Sequence, residues 1–314
     1  MLSSVQTHPL ISVRSTATVK DAARLMADCS IGALGVLDEH KEFAGIITER
    51  DLTWFVAQGL ESSETAVSEV VNDFPIVLDG PVDEVTAIDR MHSGHIRHLI
   101  IHDDDGFRVV SMRDVLHHPE VEQPAVLTAT DVMTAPAIAC RGHAFFEEVA
   151  EILADRDISG MPVVDCDGMV VGVISERDLA HALGGPIVRL AVRRHNHERL
   201  YVDSVSDLPR SSRRAREIMS CPPLTVQLDE RIDELARIMR VQQVNRLPVL
   251  DGEQLVGVVT RGDVLGAIGH LEHRKIDLTR SPVLVGSEGM DVGSSLYRAG
   301  VNLQDNHSRN HIRT

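Results

Sequence analysis

Four short copies of one polar pattern occur in the chain, and each places a hydroxyl residue three positions before an aspartate. The copies read GIITERD at 45–51, RVVSMRD at 108–114, GVISERD at 172–178 and GVVTRGD at 257–263. A hydroxyl and a carboxylate at this spacing can form a capping box, in which each side chain hydrogen bonds the backbone N–H of the other residue. A capping box is the simplest interpretation of any single copy.

A ligand-binding role is the alternative interpretation of the repeated pattern. Three copies carry a strand glycine, Gly45, Gly172 or Gly257, and glycine there usually marks the close approach of a ligand or another backbone. The start of the following helix offers free N–H groups and a positive dipole end, which favour phosphate. An aspartate at this point can accept hydrogen bonds from both hydroxyls of a ribose. Together these features predict a nucleotide pocket.

The elements that position this pattern also recur along the chain. The four aspartates are 63, 64 and 85 residues apart. Before each one come a Pro-led apolar stretch, a segment with apolar residues every three to four places, and a short apolar strand. A polar turn then leads to a second strand, which is the pattern of a hairpin. The unit is therefore β-α-β-β-α in four copies, and the predicted fold class is α/β.

Composition limits the class of protein. The 314 residues are 43 % hydrophobic and 3 % aromatic, which allows two average domains with aliphatic cores. No uncharged apolar run is long enough to span a bilayer, and the first ten residues lack the regions of a secretory signal. The four cysteines form no CxxC pair, so we expect free, mostly buried thiols in a cytoplasmic protein. The net charge of −16 argues against a general nucleic-acid coat.

The repeated unit and its closing motif resemble the cystathionine β-synthase (CBS) domain. The resemblance covers nearly 270 residues in four copies, of which the second has Arg108 where the others have glycine. CBS domains occur in pairs, called Bateman modules, which bind adenosine compounds and regulate partners. The resemblance therefore implies two Bateman modules, at residues 1–120 and 125–270, and a C-terminal tail at 271–314.

The resemblance also implies which residues of the motif contact a ligand. In the family, the hydroxyl residue and the aspartate contact phosphate and ribose. The matching residues here are Thr48, Asp51, Ser111, Asp114, Ser175, Asp178, Thr260 and Asp263.

Basic residues of a neighbouring repeat are the second set of contacts that the resemblance implies. The family places a basic residue directly before the first hairpin strand, where it reaches the phosphates of the ligand. The matching basic residues are His98 and Arg246. Arg97 together with His98 would complete the site built on Asp51, and Asn245 together with Arg246 would complete the site built on Asp178. Arg50 and Arg177 are either further phosphate contacts or salt-bridging residues.

A basic insertion, residues 187–216, separates the third copy from the fourth. It holds eight arginines and three acidic residues. A solvated linker helix that pairs with acidic surfaces explains this composition, and a docking site for an acidic partner or nucleic acid is the alternative. A linker predicts nearly unchanged nucleotide affinity and melting temperature when four of its arginines are replaced by serine. These are Arg193, Arg194, Arg213 and Arg214.

The sequence as a whole predicts a non-catalytic regulatory protein that binds AMP, ADP or ATP between paired repeats and transmits occupancy by conformational change. No Ser/His/Asp order, Walker loop or dinucleotide fingerprint occurs, and neither a cofactor nor a metal site is predicted. S-adenosylmethionine or a cyclic dinucleotide is the alternative ligand, and docking through the basic insertion is the alternative function. We expect a homodimer, because the repeats present apolar helix faces and the insertion need not permit both modules to pack within one chain.

Overall fold

The β-α-β-β-α unit recurs in the computed structural model, which describes residues 5–115, 127–185, 189–192, 199–202, 212–268 and 283–285. A short strand, β1 (His8–Pro9), comes first. Repeat 1 contains β2 (Ser12–Arg14), α1 (Val19–Cys29), β3 (Ala33–Leu37), β4 (Phe43–Thr48) and α2 (Glu49–Ala57). After a 3-10 turn at Val67–Glu69, repeat 2 contains β5 (Val77–Asp79), α3 (Glu84–Ser93), β6 (His98–Asp103), β7 (Gly106–Ser111) and α4 (Met112–Val115).

The second half of the chain follows the same order. After α5 (Ala129–Val132), repeat 3 contains β8 (Ile138–Arg141), α6 (Phe146–Asp155), β9 (Gly160–Val164), β10 (Val170–Ser175) and α7 (Glu176–Gly184). Next come β11 (Arg189–Val192), β12 (Arg199–Val202) and α8 (Ala215–Ile218). Repeat 4 contains β13 (Val226–Gln227), α9 (Ile232–Val241), β14 (Arg246–Asp251), β15 (Gln254–Thr260) and α10 (Arg261–Ile268), and β16 (Val283–Val285) follows. The predicted α/β class and repeat order are confirmed.

Each repeat builds its own small sheet. The two hairpin strands pair antiparallel, and the first strand of the repeat pairs parallel with the first hairpin strand. Parallel neighbours need a long crossover, which the helix between them supplies. The closing helix then starts directly where the last strand ends. This order places the hydroxyl residue of each motif at the junction of a strand and a helix.

The stretch before the first strand of each repeat, called here its lead-in segment, packs on a neighbouring repeat. The lead-in segment of repeat 1 pairs with β7 of repeat 2, and that of repeat 2 pairs with β4 of repeat 1. Repeats 3 and 4 exchange their lead-in segments in the same way. Repeats 1 and 2 therefore form one pair, and repeats 3 and 4 another. The predicted boundaries at residues 120 and 125 lie outside the described residues and stay a prediction.

Two apolar cores join these pairs within the one chain. One core combines buried residues of repeats 1 and 3, among them Leu52, Phe55, Phe146 and Leu179. The other combines repeats 2 and 4, among them Met91, Leu99, Leu235 and Met239. In the first core, α1 lies against α7, and α2 lies against α6 and α7. Smaller cores between the sheets join repeat 1 to repeat 2 and repeat 3 to repeat 4, so the four repeats form a closed ring.

The closed ring changes the argument for a homodimer. We expected a homodimer because the insertion need not permit the two pairs to pack together within one chain. The two shared cores show that the pairs do pack together within one chain. The apolar faces of α1, α2 and α7 are therefore covered without a second chain. The homodimer itself stays a prediction.

The basic insertion contains strands where a helix was expected. Strands β11 and β12 form an antiparallel hairpin, so the prediction of a linker helix is wrong in this part. Arg193 and Arg194 lie outside the described residues. Arg213 is 7 % exposed, and it donates a hydrogen bond to the carbonyl of Ala182. The guanidinium of Arg214 lies 3.4 Å from the ring centroid of Phe145, so these two arginines pack on repeat 3 and are not linker residues.

The cysteines and the helices bear on the predicted compartment. Cys140 is buried, and burial raises the pKa of its thiol to about 12. Cys29, Cys166 and Cys221 are exposed, so the expectation of mostly buried thiols is wrong. None of the helices that the structure describes has the length and hydropathy needed to cross a bilayer. The compartment stays a prediction.

The C-terminal tail contributes one described strand. Residues 283–285 form β16, which pairs in parallel with β8 at the edge of the repeat 3 sheet. These residues of the tail therefore pack on the body of the protein. The rest of the tail lies outside the described residues.

The contact between α1 and α7 depends on a glycine, which gives a first testable prediction. A Cβ atom on Gly184 would collide with the backbone of Ala23 and Arg24. We expect Gly184→Ala to lower the free energy of unfolding by about 1 to 3 kcal/mol, because overpacking forces the two helices apart. The control is Gly266→Ala in α10, where the added methyl group meets open space. This control should stabilise the protein by about 0.5 to 1 kcal/mol, and equal effects in urea unfolding would contradict the prediction.

Candidate functional site

All four motifs form the same capping arrangement at the start of the closing helix. Oδ2 of each aspartate accepts a hydrogen bond from the backbone N–H of the hydroxyl residue at 2.7–2.8 Å. The hydroxyl group itself donates to the same oxygen at 2.5–2.7 Å. The reciprocal bond, from the backbone N–H of the aspartate to the hydroxyl oxygen, is present at Thr48, Ser175 and Thr260, so the capping interpretation is correct for these three copies. It uses one carboxylate oxygen, so it does not exclude a second contact through Oδ1.

The second oxygen of two aspartates faces a lead-in segment. Oδ1 of Asp178 accepts a hydrogen bond from the hydroxyl of Ser220 at 3.1 Å. Oδ1 of Asp114 lies 3.1 Å from Nε2 of His8. Burial raises the pKa of Asp178, although its hydrogen bonds from Ser175 and Ser220 lower it. Asp178 is thus arranged to accept a hydrogen bond from a hydroxyl group, which is the kind of donor that a ribose presents.

Sequence reasoning missed these lead-in residues. One residue of each lead-in segment pairs with the motif residue that directly follows the glycine or Arg108. These four lead-in residues are His8, Asn72, Thr134 and Ser220. Each is a polar residue one to three places before the proline of a Pro-led stretch. That recurrent polar residue is the signal that could have found them.

The glycines of the motif are approached by the lead-in segments. A Cβ atom on Gly45 would collide with the backbone carbonyl of Asn72. The same atom on Gly172 would collide with Met219, and on Gly257 with Met133. The sequence left open whether a ligand or another part of the chain approaches these glycines. In the structure, another part of the chain lies beside all three.

Arg246 lies beside the motif of repeat 3, as its proposed pairing with Asp178 requires. Its side chain covers Gly160, and Nη2 donates to the hydroxyl of Ser159 at 2.7 Å. Burial lowers the pKa of Arg246 to about 10, while Glu176 and Asp178 raise it. The guanidinium therefore stays charged at neutral pH. Arg246 brings a buried positive charge to the motif that carries Asp178.

His98 lies beside repeat 1. A Cβ atom placed on Gly32 would lie 3.1 Å from Nε2 of His98 and 3.2 Å from the carboxyl carbon of Glu49. Burial lowers the pKa of His98 to about 3, and the nearby charges of Arg97, Arg113 and Arg177 lower it further, although Asp114 raises it. The imidazole is therefore neutral at physiological pH and would offer a phosphate a hydrogen bond without a charge.

This depressed pKa predicts a dependence of stability on pH. His98 titrates near 6.5 in an unfolded chain and near 3 in the folded protein, so the folded state binds fewer protons between these values. Stability should therefore rise with pH in this window, by about 2 kcal/mol from pH 5 to pH 7 for this residue. Urea unfolding at the two pH values measures the change. His98→Gln should lack that part of the slope, and an identical slope in both proteins would contradict the assignment.

Arg50, Arg97 and Arg177 form ion pairs between repeats 1 and 3 or between repeats 2 and 3. Arg177 Nε lies 2.9 Å from Glu49, and Arg50 lies 3.5 Å from Glu176 and 3.3 Å from Asp157. These contacts match the salt-bridging interpretation of Arg50 and Arg177.

Arg97 of repeat 2 also forms an ion pair with repeat 3. It donates to the carboxylate of Glu176. Sequence reasoning missed the two glutamates, Glu49 and Glu176, although both directly follow the hydroxyl residue in the TERD and SERD copies.

One backbone contact fixes the start of every closing helix. The N–H group of the first helix residue donates to the carbonyl of the residue directly before the first hairpin strand. These carbonyls belong to Gly32, Arg97, Ser159 and Asn245. Asn245 therefore contributes its carbonyl to the start of α10, and Arg261 at that start also donates to the carbonyl of Met239 at 2.7 Å.

The family model for the CBS domain matches residues 2–57, 129–185 and 215–270, which are together more than half of the chain. The matched residues cover repeats 1, 3 and 4. Repeat 2, which has Arg108 in place of the motif glycine, lies outside them but has the same order of elements. Arg108 donates to the hydroxyl of Thr7 at 2.6 Å and so binds the lead-in segment.

Three relatives illustrate the similarity. MJ1225 of Methanocaldococcus jannaschii is 23 % identical over 280 residues, which are 83 % of this chain and 95 % of that protein. Its crystal structure, described with the suggestion that it is an archaeal homologue of g-AMPK, has a TM-score of 0.68 at 21 % identity and covers 84 % of this chain and 97 % of that one. MJ1404 of the same organism is 27 % identical over 143 residues, 46 % of this chain, and the match spans only 32 % of MJ1404.

The third relative is CBSX2 of Arabidopsis thaliana, which is 26 % identical over 133 residues, 38 % of this chain and 54 % of that protein. A crystal structure of CBSX2 in complex with AMP has a TM-score of 0.34, with 22 % identity, and covers 45 % of this chain and 94 % of that one. The family match over more than half of the chain and the four-repeat architecture lead to one conclusion: the protein belongs to the CBS-domain family.

Proposed function

We propose that the protein is a non-catalytic sensor that binds an adenine nucleotide at the motif of repeat 3 and signals its occupancy through the ring of repeats. The observation that carries this proposal is the position of Asp178 and Arg246. One carboxylate oxygen already accepts from a hydroxyl group, and a buried guanidinium lies beside the same strand end. Ribose needs the first feature, and phosphate needs the second.

The ribose end of the ligand would use Asp178. A carboxylate oxygen accepts more than one hydrogen bond, so Oδ1 can bind a ribose hydroxyl beside or in place of Ser220. Oδ2 stays in the capping box with Ser175. The aspartate can thus hold a ligand without a break in the helix start.

The phosphate end would use Arg246 and the start of α7. The positive end of a helix and a guanidinium both favour phosphate oxygens. The hydrogen bonds of Arg246 that the structure describes go to neutral acceptors, the hydroxyl of Ser159 and the carbonyl of Ile174. Exchange of such acceptors for a charged phosphate is favourable, because charge-assisted hydrogen bonds are stronger.

The relatives support this choice of ligand. CBSX2, a relative by sequence, is described in complex with AMP. A regulated partner protein would read the occupancy, and coupling of this kind requires that the ligand prefers one of two geometries of the ring.

Calorimetric titration of a ligand panel tests the proposal. The panel contains adenosine, AMP, ADP, ATP, S-adenosylmethionine and a cyclic dinucleotide. We expect at least one adenine nucleotide to bind, and at about 100 times its dissociation constant it should add roughly 2.7 kcal/mol to stability. Tightest binding of S-adenosylmethionine or of the cyclic dinucleotide would favour the alternative ligand. A panel without any binding would overturn the proposal.

A single variant tests the phosphate contact. Arg246→Ala should weaken AMP and ADP by about tenfold and leave adenosine nearly unchanged, because the proposed contact is with phosphate. Calorimetry with AMP and adenosine measures the two affinities. Equal losses for both ligands would mean that Arg246 supports the fold of the site and does not contact the phosphate.

A further inference from the structure

The carboxylate of Glu176 joins the two pairs of repeats. It belongs to repeat 3, and its side chain is 3 % exposed. Arg97 of repeat 2 donates to its Oε2, and Nε of Arg50 of repeat 1 lies 3.5 Å from its Oε1. One buried carboxylate from repeat 3 thus binds two arginines of repeats 1 and 2.

The two arginines are the cations that flank the predicted site on Asp51. Arg50 directly precedes Asp51, and Arg97 directly precedes His98, which lies beside repeat 1. Both guanidiniums are bound to carboxylates of repeat 3, since Arg50 also contacts Asp157 at 3.3 Å. The imidazole of His98 is neutral at physiological pH.

A carboxylate and a phosphate bind a guanidinium in the same manner, through charge-assisted hydrogen bonds that fit its planar donor group. The geometry points to Glu176 as a specificity-determining residue that acts as a built-in anion and occupies the arginines which a ligand phosphate at the Asp51 site would use. This inference rests on the proposed function, because it concerns the phosphate end of that ligand.

The consequence is a difference between two sites in one chain. A phosphate at the Asp51 site must separate Arg97 from Glu176, and an unpaired buried carboxylate is strongly unfavourable. The Asp51 site therefore prefers an adenosine compound without a phosphate. At the Asp178 site, the charge of Glu176 also acts on Arg246, but the hydrogen bonds that the structure describes for this guanidinium go to neutral groups. A phosphate there displaces no carboxylate from the guanidinium, so that site accepts it.

Inorganic pyrophosphate is a probe of this inference that does not depend on adenosine recognition. Glu176→Gln keeps the shape of the side chain but loosens its hold on Arg97 and Arg50. We expect pyrophosphate to raise the melting temperature of this variant and to bind it about tenfold more tightly than the wild type. The matched control is Glu234→Gln, which removes the same charge from a surface ion pair with Arg237. The control should bind pyrophosphate like the wild type.

Two further variants keep the test informative, the first if Glu176→Gln does not fold and the second by removing the freed guanidinium. Glu176→Asp shortens the side chain and retains the charge, so it should show a smaller gain in the same direction if Glu176→Gln does not fold. The double variant Glu176→Gln with Arg97→Gln should lose the gain, because the freed guanidinium is absent. In calorimetry, Glu176→Gln should also raise the preference for AMP over adenosine at the Asp51 site by about tenfold.

The outcomes separate this inference from the proposed function. If the Glu176 variants bind pyrophosphate with the same affinity as Glu234→Gln, the inference is overturned, and this holds for any result of the nucleotide titrations. A pyrophosphate gain in a protein that binds no compound of the ligand panel would support the built-in anion and overturn the proposed function. Parallel losses for AMP and adenosine would show that Glu176 is only structural.

Discussion

Replacement of Arg213 by alanine should lower the free energy of unfolding by about 2 to 4 kcal/mol. The side chain is almost fully buried, and it donates to the carbonyl of Ala182 near the end of α7, where helix carbonyls lack partners in the helix itself. The substitution removes that donor and leaves the space of a long side chain unfilled. Urea unfolding followed by circular dichroism measures the loss.

The control for this prediction is Arg216→Ala in α8. Arg216 is exposed and belongs to the same basic insertion, so its replacement should change stability by about 0.5 kcal/mol or less. If both variants are as stable as the wild type, the arginines belong to a linker after all, as the composition of the segment suggested.

Asp178→Asn should weaken an adenine nucleotide by about ten- to hundredfold, since hydrogen bonds to a charged group contribute roughly 1.5 to 3 kcal/mol. The amide oxygen can replace Oδ2 in the capping box with Ser175. The amide nitrogen then stands in the place of Oδ1, and it cannot accept a hydrogen bond from ribose. The fold should survive with a modest loss of stability, and calorimetry with AMP measures the affinity.

Asp131→Asn is a matched control for that prediction. Asp131 accepts from the backbone N–H and the hydroxyl of Thr128 at 2.8 and 2.9 Å, which is the same capping arrangement at the start of α5. This variant should lose a similar amount of stability and keep its nucleotide affinity. If Asp178→Asn behaves like Asp131→Asn in both measurements, the motif of repeat 3 has a structural role only.

The fold and the motif could be predicted because both are local and repeated. Each unit specifies its hairpin and its closing helix through residues that are close in sequence, so four copies of the pattern gave the order of elements. The capping boxes followed from the spacing of a hydroxyl residue and an aspartate, such as Ser175 and Asp178, for the same reason. Repetition made a weak local signal specific.

The contacts that could not be predicted are those between distant repeats. The ion pair of Arg97 with Glu176 joins residues 79 positions apart, and that of Arg177 with Glu49 joins residues 128 positions apart. No local pattern encodes which repeat packs against which, so the closed ring and the ion pairs between its repeats appear only in three dimensions. For Arg213 the local sequence was misleading, because its many basic neighbours predicted a solvated residue and the structure buries it.

A crystal structure grown with AMP tests the central claim most directly. We predict a ribose hydroxyl on Oδ1 of Asp178, in contact with or in place of Ser220, and the phosphate beside Arg246 and the start of α7. AMP bound away from Asp178, or a crystal without AMP at a concentration that saturates binding in solution, would contradict the account.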